Sequence, residues 1–281
     1  MQNQTVSGVD ALSIDSGLVT DLLCGFVREE VGRVGFDRVV LGLSGGVDSA
    51  LAAAIATRAL GADRVLPVLM PYRSSAAASE TDAAEVCASL GLTPVRIDIS
   101  PQIDAYFASF PDADRGRRGN KMARERMSVL YDMSWQHRAL VVGTSNKTEL
   151  LLGYGTVHGD LASALNPLGD LYKTQVFALA RALGLPQVVI DKAPSADLWE
   201  GQSDEGDLGF RYAVVDALLH ALVDERRTLP ELRALGFEDS FITDIQQRIR
   251  GSQFKRRPPL IAKLGPRTID REFRYPRDWG S

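Results

Sequence analysis

Ser44-Gly45-Gly46-Val47-Asp48-Ser49 has the composition of a loop that holds an anion. It follows Val39-Val40-Leu41-Gly42-Leu43, an apolar and β-branched run that reads as a buried strand, and it leads into Ser49 to Ala56, rich in strong helix formers. A glycine turn between a strand and a helix start aims several backbone N–H groups at one point, with the positive end of the helix dipole behind them. Consecutive glycines let that backbone approach a ligand with no Cβ in the way. Asp48 would repel a phosphate unless a divalent cation lay between the two charges, which makes it a metal-ligand candidate. The same logic recurs further along the chain. Ala139-Leu140-Val141-Val142-Gly143 reads as a strand and ends in Thr144-Ser145-Asn146-Lys147-Thr148-Glu149. Donors again lie at a strand end, and the Glu149 carboxylate one helical turn later can ligate a cation. With Asp48 and Glu149 both at strand ends, one shared Mg²⁺ is the economical arrangement.

The elements that must bring these loops together alternate. Leu18, Val19, Leu22, Leu23, Phe26 and Val27 recur at helical spacing, predicting an amphipathic helix from Ser13 to about Val34 that is either a packing cap or a partner surface. Val65 to Met70 reads as a second strand, Ser79 to Leu90 as a helix and Pro94 to Ile99 as a third strand. Such alternation predicts right-handed βαβ units and an α/β fold: a doubly wound, mostly parallel sheet with flanking helices. Ligands bind beyond the carboxyl ends of strands in such sheets, so both loops and Met70-Pro71-Tyr72-Arg73-Ser74-Ser75 belong to one catalytic edge. Asp207 to Leu222 and Asp239 to Arg250 read as amphipathic C-terminal helices. Residues 1–12 read as a flexible start and 265–281 as a tail, with one domain over the chain. Gln202 to Gly206 reads either as a loop that orders over substrate or as an exposed turn.

Composition narrows the partners. A net charge of −4 argues against a protein that wraps nucleic acid. Cys24 and Cys87 fall on apolar helical faces and no Cys-x-x-Cys pattern is present, which points to buried free thiols rather than zinc. No leader and no long apolar span is legible, so the expectation is a cytoplasmic protein without a membrane partner. The charged stretch over residues 111–126 reads, on composition, as a solvated face before it reads as a phosphate cradle.

The first loop lacks the lysine of a Walker motif and the spacing of a dinucleotide fingerprint. It resembles instead the pyrophosphate-binding loop of the ATP pyrophosphatase superfamily, whose fold is adenine nucleotide alpha hydrolase-like. Later motifs are similar to those of NAD⁺ synthetase: Gly143 to Glu149, Gly153-Tyr154-Gly155-Thr156, Gly159-Asp160, Asn166-Pro167-Leu168, Asp170 to Val176, Lys192 to Leu198, Gln202 to Glu205 and Lys255 to Pro259. They occur in the family's order and cover most of the chain.

The resemblance implies adenylation of the nicotinate carboxylate of deamido-NAD⁺ by ATP, release of pyrophosphate, and displacement of AMP by ammonia. It implies that Gly42, Leu43, Ser44, Gly45, Gly46, Val47, Asp48 and Ser49, with Thr144, Lys173 and Ser195, contact ATP. Asp48 and Glu149 would hold Mg²⁺ and, with Lys173, form the catalytic set; Arg124, Tyr154, Asp160 and Lys255 would meet deamido-NAD⁺. Asp197 or Asp160 is the expected proton acceptor for ammonia, and His158 either takes a direct part or packs a loop. A homodimer is implied. Two positions depart from the short ammonia-using branch, Val157 where a lysine is frequent and Ala164 where an acidic residue is. The chain is too short for an added glutaminase domain, so the nitrogen comes as free ammonia or from a separate ammonia-supplying protein. Another ATP pyrophosphatase and a non-catalytic nucleotide sensor are the competing readings.

Overall fold

β1 (Arg38–Gly42) lies inside a four-stranded sheet of order β3-β2-β1-β4, with β2 at Val65–Leu69, β3 at Val95–Arg96 and β4 at Ala139–Val141. The computed structural model describes residues 12–195 and 204–265. Every strand pair is parallel, with Val39 opposite Val65 on one side of β1 and opposite Leu140 on the other. The chain therefore winds outward from β1 to β2 and β3, then returns to place β4 on the other flank of β1. That is the expected doubly wound sheet, and its strand order reverses between β1 and β4.

The two-residue period of β1 explains how both faces are covered. Val39 and Leu41 point into a core with α1 (Ser16–Arg33), α2 (Val47–Leu60), α3 (Ala77–Leu90) and, later in the chain, α7 (Lys173–Ala182) and α8 (Gln187–Asp191). Val40 points the other way, to Val68, Val141 and the inner residues of α4 (Ser100–Phe107) and α5 (Arg115–His137). α2 is wedged between the sheet and α1; Ala50, Leu51, Ala52, Ala53, Ile55 and Ala56 are wholly buried, and alanines let the neighbouring helices approach closely. α1 caps this layer through Cys24, Val27 and Val31 while Leu18 and Leu22 stay exposed. A further core forms where α6 (Lys147–Leu152) meets α10 (Tyr212–Leu219) and α12 (Asp239–Gly251), around Leu218, Leu219, Ile242 and Ile245. α9 (Asp204–Leu208) and α11 (Leu229–Ala234) complete the described helices.

Three expected elements differ. The third strand is confined to Val95–Arg96, although Ile97 N and Ile99 N still donate to Leu69 O and Pro71 O. It is the sheet's edge, and at Asp98 the side chain accepts the Ser100 N–H and turns the chain into α4. The expected helix from Asp207 to Leu222 is two helices instead. Gly209 takes φ +85 between α9 and α10, a left-handed conformation that ends a helix, and α10 then widens into a π turn over His220–Asp224. Asp204 to Gly206, expected in a loop, belong to α9. The expectations for residues 1–11, Asp197, Gln202 and the tail beyond Gly265 lie outside the described residues. Cys24 and Cys87 are buried free thiols, as expected. No helix among the described residues is long and apolar enough to cross a membrane.

Candidate active site

The reversal of strand order between β1 and β4 opens a cleft of about 1020 Å³ at the carboxyl ends of the strands. Its floor is the Ser44–Ser49 loop. Within it Ser44 N donates to Ser49 Oγ, Gly46 N donates to Ser44 Oγ, and Ser49 Oγ donates to Gly46 O, so two serines hold the turn from inside. Gly46 is the N-cap of α2 and no side chain caps that helix. The first-turn N–H groups of a buried helix are thus left to a ligand, which is the physical basis of an anion site.

Asp48, in that first turn, faces the loop after β4. There Asn146 caps α6 reciprocally: its Oδ1 accepts from Glu149 N at 3.0 Å, while Glu149 Oε2 accepts from Asn146 N at 3.3 Å. The remaining Asn146 amide donates to Asp48 Oδ1 at 2.9 Å, tying one strand-end loop to the other. Lys173, at the start of α7, enters between the acids and donates to Asp48 Oδ2 at 2.5 Å and to Glu149 Oε1 at 3.2 Å. Its side chain is 2% exposed, against 17% for Asp48 and 15% for Glu149. Asp204 is a third acid on the same wall; its two oxygens accept from the Tyr154 and Tyr212 hydroxyls, each at 3.0 Å.

Two carboxylates therefore hold one ammonium, and a third, Asp204, acts on it through its charge. Burial pushes Glu149 up to about 8, with Asp48 and Asp204 adding to the shift and Lys173 opposing it. Burial works against the charge on Lys173, but Asp48 and Glu149 outweigh it and hold the lysine above its usual value. Asp204 is likewise raised, chiefly by burial. Among the described residues no group of three or more ligand-type side chains forms a complete metal cage. Hard oxygen donors in excess of the local positive charge nevertheless fit Mg²⁺, which commonly takes one or two carboxylates and completes its shell with phosphate oxygens and water.

The structure brings most of the expected site residues to this cleft. Gly42, Leu43, Ser44, Gly46, Val47, Asp48, Ser49, Thr144, Glu149, Tyr154, Asp160, Lys173, Ser195 and Lys255 line it; Gly45 sits beneath, against Ser79. Lys255 donates to Gly153 O and Gly155 O, so it also braces the turn that carries Tyr154. Asp160 Oδ1 accepts from Thr156 N at 2.8 Å. Arg124 does not line the cleft: it is exposed on α5, with Nε donating to Val157 O. Exposed His158 also lies outside the lining. The charged stretch is largely consumed locally, since Arg117 and Arg118 lie over the rings of Phe107 and Phe110 or Phe107 alone and Arg118 donates to Pro111 O and Ala113 O.

The sequence profile of the NAD synthase family matches residues 19–259. The chain belongs to the NAD synthase family. A relative named NH(3)-dependent NAD(+) synthetase from Trichlorobacter lovleyi is 55% identical over 269 residues, covering 96% of this chain and 98% of its own. The solved NH3-dependent NAD synthetase of Campylobacter jejuni, in complex with the nitrate ion, superposes with a TM-score of 0.77 at 39% identity, covering 89% of this chain and all of that one (100%). The NMN synthetase of Francisella tularensis superposes with a TM-score of 0.80 at 30% identity, covering 90% and 100%. In and behind this NAD synthase cleft, four residues carry contacts to which the sequence alone attached no role. The spacing of Asn146 and Glu149 is the local signal of a capping box, and nothing local signals the link from Asn146 to Asp48. Lys192, which donates to Asp82 Oδ2 at 2.7 Å and Ser79 Oγ at 3.1 Å, and Asp204 and Asp216 meet partners far away in sequence or on other elements.

Two outcomes test this geometry. Asn146→Ala is expected to cost about 1–2 kcal/mol, the worth of an N-cap, whereas Asn146→Asp keeps the cap but sets a carboxylate against Asp48. In chemical denaturation the aspartate variant should be the less stable of the two, because two carboxylates then face each other at a buried position, and its activity should fall at least about tenfold. Similar stability for the alanine variant and wild type would remove Asn146 from this role. For Glu149 the sign follows from its upward shift. Below the ordinary value of 4.5 both folded and unfolded chains carry the proton; between there and about 8 only the folded chain retains it. Stability therefore falls as pH rises through that window. In cation-free buffer, Glu149→Gln should flatten this decline, measured as urea midpoints at pH 5 and pH 8; parallel profiles would contradict it.

Proposed function

We propose that this cleft amidates deamido-NAD⁺ to NAD⁺ at the expense of ATP, with ammonia as nitrogen donor, and that the chain folds as one synthetase domain. The carrying observation is the uncapped start of α2 behind the Ser44–Ser49 loop, facing Lys173 and two carboxylates across the β1/β4 switch point. The nicotinate carboxylate attacks the α-phosphorus of ATP, the α–β anhydride bond breaks and pyrophosphate leaves. Ammonia then attacks the acyl carbon, AMP departs, and one proton leaves the nitrogen. No protein nucleophile is required, because the acyl-adenylate is itself activated.

The chain's own residues then have distinct tasks. The α2 N–H groups and Ser44, Gly45, Gly46 and Ser49 seat the phosphates. Lys173 reduces the repulsion between two anions that must meet, a form of electrostatic preorganisation. Asp48 and Glu149 would hold Mg²⁺, which supplies further charge neutralisation on the phosphates. Thr144 and Ser195 contact ATP, while Tyr154, Asp160 and Lys255 meet deamido-NAD⁺, with Asp160 the described candidate for taking the ammonia proton. Arg124, outside the cleft, serves deamido-NAD⁺ only if a second chain extends the site. A homodimer supplies that; Tyr131 and Trp135, exposed on the same helix at 41% and 88%, support it. The reaction is placed in the cytoplasm.

Purified protein is incubated with ATP, Mg²⁺, deamido-NAD⁺ and ammonium, and NAD⁺ and AMP are followed; one arm replaces ammonium by glutamine, another replaces deamido-NAD⁺ by the mononucleotide acid. Stoichiometric NAD⁺ and AMP with ammonium is the expected result. Turnover with the mononucleotide acid alone would redirect the reading to the chemistry named for the Francisella neighbour, and absence of ATP turnover would favour a sensor.

A further inference from the structure

Asp216 is a carboxylate with no exposed surface, inside the body of α10, and the reaction just described gives it no task. A buried charge is costly unless hydrogen bonds satisfy it, so its partners indicate what it is retained for. Oδ1 accepts from the Thr148 hydroxyl at 2.6 Å, and Oδ2 accepts from the Thr174 backbone N–H at 2.8 Å. Thr148 Oγ1 in turn accepts from the Lys173 backbone N–H at 3.0 Å. Both threonines are second residues of their helices, Thr148 of α6 and Thr174 of α7. Each is also next in sequence to a member of the charged cluster, Glu149 or Lys173.

The start of α7 takes its acceptors from elsewhere, while that of α6 has its own cap. The cap residue of α6, Asn146, is already committed to Glu149 N and Asp48. The cap residue of α7 is Tyr172, with no side-chain cap bond of its own; its hydroxyl points away, to Asp224. Asp216, on a third helix, accepts the Thr174 N–H of α7 directly and reaches α6 through the Thr148 hydroxyl, whose oxygen in turn takes the Lys173 N–H. An anion there is also favoured by the positive ends of the α6 and α7 dipoles. The lysine and glutamate that must lie 3.2 Å apart are thus fixed by one rigid group, rather than by two independently fraying helix ends.

We propose that Asp216 is a positioning residue: through Thr148 and Thr174 its carboxylate sets the first turns of α6 and α7 and so the spacing of Glu149 and Lys173. It touches no substrate. The inference rests on the functional reading above for its consequence in turnover, and on geometry alone for the clamp.

The test uses the full chain with three variants, Asp216→Asn, Thr148→Val and Thr148→Ser, assayed well below their melting temperatures. Asp216→Asn preserves volume but offers one acceptor where two are needed. Turnover should fall about 10- to 100-fold, the usual effect of misplacing catalytic groups through their supports, while KM for ammonium stays within about twofold. Thr148→Val should match it, Thr148→Ser should keep activity within about threefold of wild type, and the double variant Thr148→Val/Asp216→Asn should lose no more than the worse single one. Equal kcat for folded Asp216→Asn and wild type, or losses that multiply in the double variant, would overturn the proposal. Amide hydrogen exchange reads the clamp without turnover: in Asp216→Asn the Lys173 and Thr174 amides should exchange faster while β1 amides keep their protection. Unchanged protection at those two amides refutes the clamp even if the wild type proves to catalyse another reaction, whereas a wild type without NAD⁺ formation counts against the functional reading only.

Discussion

Lys173→Met is expected to reduce kcat by at least about a hundredfold and to lower stability by roughly 3–5 kcal/mol near pH 9. The reason for the first effect is position: the ammonium is the cation shared by Asp48 and Glu149 on the wall of the cleft. On the proposed mechanism an anion must attack an anion there, and a preorganised charge in a dry site is worth far more than the same charge in water. The second effect follows from what methionine leaves behind. Two mostly buried carboxylates, with Asp204 nearby, would face each other without their shared partner. Glu149 offers a way out, since burial already raises it to about 8 and loss of Lys173 raises it further. By taking a proton it relieves the repulsion, so the stability cost should be small near pH 6 and grow towards pH 9. Arginine is no conservative substitute: a planar guanidinium does not fit a pocket in which the lysine is 2% exposed. Steady-state kinetics with urea denaturation at three pH values checks both effects. Activity of Lys173→Met within tenfold of wild type would dismiss the lysine as the central charge.

The parts of this arrangement that were legible in the sequence are those encoded locally. A β-branched run, a glycine turn and an alanine-rich helix announce a strand-to-helix anion loop in consecutive residues, and the loop after β4 repeats the pattern. Parallel topology followed from the alternation alone, and the sheet edge that carries the site followed from the topology. The ends of elements were less legible. The edge strand β3 shrinks because Asp98 redirects the chain, and α10 starts late because Gly209 adopts a left-handed conformation. Long-range polar contacts were illegible in principle. Lys192 finds Asp82 across 110 positions and Thr148 finds Asp216 across 68, and no periodicity links such pairs. Arg124 illustrates the converse. A resemblance can assign a residue to a ligand, but a single chain shows it on an outer face, bonded to the carbonyl of Val157.

Gly45→Ala and Gly46→Ala should fail in different ways, although the two glycines are adjacent in one loop. Gly45 has φ +75, and a Cβ there would stand 2.3 Å from Ser79 O and 3.1 Å from Ser79 C, both backbone atoms of α3. Neither can move without displacing the first turn of α3, whose Ser79 Oγ and Asp82 carboxylate hold Lys192 at the cleft. Backbone strain and overpacking each cost about 1–3 kcal/mol, so Gly45→Ala should lose roughly 2–5 kcal/mol of stability. Weakened ATP binding should follow as Lys192 shifts. Gly46 meets no such obstacle. Its backbone is not left-handed, and the nearest atom to an added Cβ is Ser44 Oγ at 3.4 Å, an ordinary contact. Gly46→Ala should therefore fold with nearly native stability. At the N-cap of α2, however, the new methyl group would crowd the approach to the helix's first N–H groups, and KM for ATP should rise about tenfold or more while KM for ammonium holds. Thermal melts and ATP titrations of the two variants make the comparison. If both lose stability alike, the loop is constrained only by packing; if Gly46→Ala binds ATP as the wild type does, the phosphates do not sit at α2. The second glycine would then be there for the turn, and the anion site would have to be sought nearer Lys192 and Ser195.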